Sequence, residues 1–69
     1  MAKDISDQIV QSLVDSFKAQ KQRHMVNVEV MLNNPIAIPE HGDLMAELEK
    51  EIEKIAEYTD KIEAAELFL

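Results

Sequence analysis

The stretch Asn33-Asn34-Pro35-Ile36-Ala37-Ile38-Pro39-Glu40-His41-Gly42-Asp43 holds both prolines and the single glycine of a 69-residue chain. Proline removes an amide donor and pushes the residue before it out of the helical region, so a helix arriving at Asn33 stops there. Pro39, with its preset φ, or Asp43, with a capping carboxylate, is placed to open the next helix. No proline or glycine lies on either side. The chain therefore reads as two long segments about one stiff connector, residues 34–42, in a single small domain spanning 1–69.

Upstream, Ile5, Ile9, Val10, Leu13, Val14 and Phe17 recur at the spacing of one helical face, with Asp4 placed as N-cap and Asp7 favouring the helix dipole. The stripe is wide, and a stripe that wide faces more than one neighbour. Downstream, Met45, Leu48, Ile52, Ile55, Thr59, Ile62, Glu66 and Leu69 alternate steps of three and four, the pattern of a heptad seam. Glu47 with Lys50, Glu51 with Lys54 and Glu57 with Lys61 are placed to line its outer faces as weak pairs.

Residues 25–32 carry two periods at once. Val26, Val28, Val30 and Leu32 alternate with Asn27 and Glu29 as a strand would, whereas Met25, Val28, Met31 and Leu32 fit a helical face. No adequate second strand exists, because Ile36 and Ile38 sit between prolines that cannot donate to a ladder. The expectation is therefore all-α: helices over about 4–33 and 42–68, folded as an antiparallel hairpin. At roughly 1.5 Å per residue the two are about 43 and 40 Å long, a good match. Folding about Ala37 pairs Leu32 with Leu44, Val28 with Leu48, Met25 with Ile52, Lys21 with Ile55, Phe17 with Thr59 and Val14 with Ile62. The Lys21 stem is expected along the groove, its ammonium reaching Glu51 or Glu53.

Seven Lys and Arg against fourteen Asp and Glu give a net charge of −7, unevenly spread: +1 over residues 1–24 and −8 over residues 25–69. Such a chain repels phosphate backbones and anionic membrane surfaces, so neither nucleic acid nor membrane is an expected partner. No secretory h-region and no 18-residue apolar run is present, which leads to an expectation of a cytoplasmic chain. Cys is absent. A fold this small, without disulfide or metal, is expected to gain its stability by oligomerisation into a helical bundle or larger assembly.

Candidate chemistry is sparse. Glu40, His41 and Asp43 match no zinc spacing, and capping of the connector is the expected role; His24, near Lys18, Lys21 and Arg23, is expected as a solvated or bundle-edge imidazole. No nucleophile has a base at recognisable spacing, and no phosphate loop or calcium loop occurs. The expectation is a non-enzymatic chain with no catalytic residue, no metal ligand and no cofactor. The residues expected at protein contacts are Ile5, Ile9, Leu13 and Phe17 on the wide stripe, Ile36 and Ile38 in the connector, and Leu67, Phe68 and Leu69 at the end.

The stretch Asn27 to Tyr58, NVEVMLNNPIAIPEHGDLMAELEKEIEKIAEY, resembles short uncharacterised proteins carried by contractile-tailed phages of marine cyanobacteria, chiefly through its NVEV, LNNP and EH elements. The resemblance implies a phage or phage-like origin and brings no activity or functional residue with it. Two functional classes follow as expectations. One is a structural or protein-interaction module, a virion or assembly component that meets copies of itself and other virion or host proteins. The other is an acidic host-directed inhibitor, a DNA-mimic decoy acting through Glu47, Glu51, Glu57 and their neighbours.

Overall fold

The computed structural model describes residues 4–34 and 43–69, which form two α-helices, α1 over Ile5–Asn33 and α2 over Leu44–Glu66. The connector residues Ile36, Ile38 and His41 lie outside the described residues. Both helix starts are set by aspartate. The Asp4 carboxylate accepts from the Asp7 amide at 2.9 Å, and the Asp43 carboxylate accepts from the Ala46 amide at 3.2 Å, each satisfying an orphan donor of a first turn. Asp43 thus opens the second helix, in the capping role expected of it. At the far end of α1 the helical pattern closes on Asn34, whose amide donates to the Val30 carbonyl at 2.9 Å. The next residue is Pro35, which has no amide to continue the ladder.

Residues 25–32 are helical throughout, the less strand-like of their two periods having prevailed. Valine costs a helix only a few tenths of a kcal/mol, and a face packed along a second helix outweighs that. α2 finishes in a tight turn, with the Phe68 amide bonded to the Ala65 carbonyl and the Leu69 amide to the Glu66 carbonyl.

The helices pack antiparallel. Phe17 lies beside Tyr58, ring centroids 6.2 Å apart, and His24 meets Glu51, a register within about one residue of folding the chain about Ala37. The molecule is a single layer of two helices, 53 × 17 × 12 Å. On α1 the seam runs through Val10, Val14, Phe17, Lys21, His24, Val28 and Met31, in alternating steps of three and four. On α2 it runs through Leu44, Leu48, Glu51, Ile55, Tyr58, Ile62 and Ala65.

That second row differs from the seam expected from the sequence. Leu48, Ile55 and Ile62 are common to both, but Met45 (76% exposed) and Ile52 (52%) stand on the flank while Glu51 and Tyr58 face α1. The physical reason lies across the interface. Glu51 finds two donors on α1, and Tyr58 finds a hydroxyl acceptor and an aromatic neighbour, so both are satisfied where they sit. The seam encloses little. Among the described residues only Val14 (0%) and Ile62 (9%) are buried, and they belong to the same rung.

Candidate functional site

Between Phe17 and Asn27 on α1 the seam turns polar. His24 Nδ1 lies 2.7 Å from Glu51 Oε1, and Asn27 Nδ2 donates to the same oxygen at 3.0 Å. With Glu51 ionised, Nδ1 must carry the hydrogen. These two bonds, His24's first, hold the Glu51 carboxyl below the ordinary carboxylate range despite its partial desolvation. The His24 ring stacks at 15° on Tyr58, centroids 6.0 Å apart. The Tyr58 hydroxyl donates to Gln20 Oε1 at 2.6 Å, and Gln20 is held in that orientation by its other end, which donates to Ser16 Oγ at 3.2 Å.

Lys61 closes the layer from the side. Its ammonium lies 5.7 Å from the Phe17 ring centroid and 5.1 Å from that of Tyr58, and it pairs with Glu57 at 3.0 Å. The Glu57 carboxyl is lowered by Lys61 and Lys54 together, and Lys61 is raised in return by Glu57. One sequence expectation is corrected here: Glu51 is occupied by His24 and Asn27 rather than by Lys21 or Lys54. His24 is a part-exposed imidazole at the edge of the seam, the bundle-edge place that is one of its two expected settings. Lys21 also lies on the seam, but its ammonium makes no ion pair with Glu51 or Glu53; Lys54 turns to Glu57 at 3.5 Å instead. The signal for this layer was available as Gln20, His24 and Asn27 at helical spacing opposite Glu51 and Tyr58, but only once the phase of α2 is known.

The layer ties the two helices together by side-chain hydrogen bonds. A His–carboxylate pair orients a base when a nucleophile lies at the free imidazole nitrogen in a concave site. Here the face of the ring stacks on Tyr58, whose hydroxyl is already engaged by Gln20. Among the described residues no group of three His, Cys, Asp or Glu is placed to hold a metal. An open groove of about 400 Å³ is lined by Lys18, Lys21, Gln22, Met25, Ile62 and Glu66, and neither His24 nor Glu51 lines it.

The residues expected at protein contacts divide. Ile5, Ile9 and Leu13 are exposed on α1, and Leu67, Phe68 and Leu69 are exposed at the end of α2. The antiparallel arrangement brings these two groups to the same end of the rod. Phe17 is half-buried and engaged within the chain by Tyr58 and Lys61. Ile36 and Ile38 lie outside the described residues. Six further apolar side chains are exposed in the connector half: Val26 and Val30, and also Met25, Leu32, Met45 and Ile52, which sequence reading placed in the seam. No described helix is long and apolar enough to cross a membrane. No known family model, curated protein or solved structure matches the chain.

Proposed function

We propose that the chain is a non-enzymatic structural or protein-interaction module, a virion or assembly component of a phage. The observation that carries this reading is the gathering of Ile5, Ile9 and Leu13 with Leu67, Phe68 and Leu69 at one end of an antiparallel hairpin, all exposed. Apolar patches of this kind on a small folded chain mark protein–protein contact sites. The faint likeness of residues 27–58 to cyanophage proteins supports the setting. Mass spectrometry of purified particles tests it: the chain is expected there at high copy number.

A competing reading, the acidic decoy, is favoured by the exposed outer-face carboxylates Glu49, Glu53, Asp60 and Glu63. It is weakened at the three residues that define it. Glu47 pairs with Lys50 at 3.5 Å, Glu57 with Lys54 and Lys61, and Glu51 is held inside the seam. Absence from particles, together with capture of a basic host protein whose binding weakens steeply with salt, would replace the first reading with this one.

A further inference from the structure

On either side of the seam the hairpin has a flank made by both helices. The polar flank carries Gln20 and Asn27 of α1 beside Lys54 and Lys61 of α2, as the Gln20–Tyr58, Asn27–Glu51 and Lys61–Phe17 contacts show. The opposite flank carries Lys18, Met25 and Leu32 of α1 beside Met45, Ile52 and Thr59 of α2; the groove shared by Lys18, Met25, Ile62 and Glu66 lies on it. In its connector half this second flank exposes Met25, Leu32, Met45 and Ile52, bordered by the exposed carboxylates Glu29 and Glu49 one helical turn away.

We infer that this half-flank is covered by the same half-flank of a second copy, related by a two-fold axis, so that two hairpins overlap as a four-helix bundle. The inference rests on reading the hairpin as an interaction module, and names its first partner. Two observations favour a copy of the chain as the cover. The accessible surface is 5207 Å², whereas a compact chain of this mass exposes about 4,400 Å². The excess, about 800 Å², is the share each partner contributes to a standard interface.

A hairpin that buries only Val14 and Ile62 among its described residues also needs its cover whenever it is folded, and the partner always present at the chain's own concentration is another copy. Two chains of net charge −7 repel each other, and at this face the repulsion falls on the exposed carboxylates Glu29 and Glu49 at its border, where salt screens it.

The chain has no cysteine, so a single introduced thiol reports only contacts between copies. Ile52→Cys, treated with a short bis-maleimide at micromolar concentration, is expected to give a covalent dimer, whereas Arg23→Cys on the outer face of α1 is not. Sedimentation equilibrium of the unmodified chain is expected to show a dimer that holds or tightens as salt rises. Ile52→Glu is expected to weaken that dimer roughly tenfold or more. If the substitution also melts the helices, the crosslink still reads the geometry. A dimer that crosslinks through Leu13→Cys and not through Ile52→Cys overturns the face and leaves the interaction reading intact. A folded monomer across the micromolar range, or a dimer that weakens severalfold with salt, overturns the second copy altogether. Particle composition then judges the interaction reading by itself.

Discussion

A carboxylate in a helix seam is stable while its oxygens are occupied, and Glu51 depends on two donors from the opposite helix meeting at one oxygen. Because the folded chain holds this group ionised more firmly than the unfolded chain does, its stabilising effect is full above the ordinary value near 4.5 and is lost as pH falls through the lower folded value. Glu51→Gln mimics the protonated acid. At neutral pH it is expected to lower stability by about 1–2 kcal/mol, the worth of charge-assisted hydrogen bonds at a part-buried site. Thermal melts of both proteins between neutral pH and pH 3 should show the gap closing on the acid side. A gap unchanged with pH would mean that the His24 and Asn27 bonds do not stabilise the carboxylate form.

Each helix has its own weak point. α2 follows directly from the connector and opens on the Asp43 side chain, so Asp43→Ala should cost about 1 kcal/mol of stability, read as a lower melting temperature in circular dichroism. Along α1, burial ranks the positions: Val14→Ala leaves a void on the one fully buried rung and is expected to cost about 2 kcal/mol, whereas Ile9→Ala should stay within about 0.5 kcal/mol in the isolated chain. Equal losses at the two positions would show that Ile9 is packed. The helix limits were legible because they are local: Asn33 before Asn34-Pro35, Asp4 three residues ahead of a free amide, and Asp43 likewise, all act within one turn. The phase of α2 was not. Ile52 and Thr59 look like seam residues beside Glu51 and Tyr58 in any reading of α2 alone, and only His24, Asn27 and Gln20 on the other helix make the polar pair the better choice. For the same reason the exposed apolar residues of the flank near the connector were hidden in the expected core, while the exposed end residues, Ile5, Ile9 and Leu13 among them, were legible from their wide stripe.

The hairpin as a whole has a thin seam and a surface out of proportion to it, so folding and association should be linked. Raising protein concentration is expected to raise the melting temperature, because a partner that binds only the folded state stabilises it by mass action. A melting temperature independent of concentration would show that the seam suffices alone. The antiparallel arrangement also fixes how the molecule bears load. Residues 4 and 69 lie at one end of a 53 Å rod, and Asn34 and Asp43, which the connector joins, at the other. A pull applied between the two ends of the chain peels the helices apart one rung at a time, starting at Val10 and Ala65, and meets only the resistance of the rung then at the fork. A pull between the connector and those ends runs along both helices and loads every rung together. Anchored at both poles, the hairpin behaves as a strut; tethered by its two chain ends, it unzips.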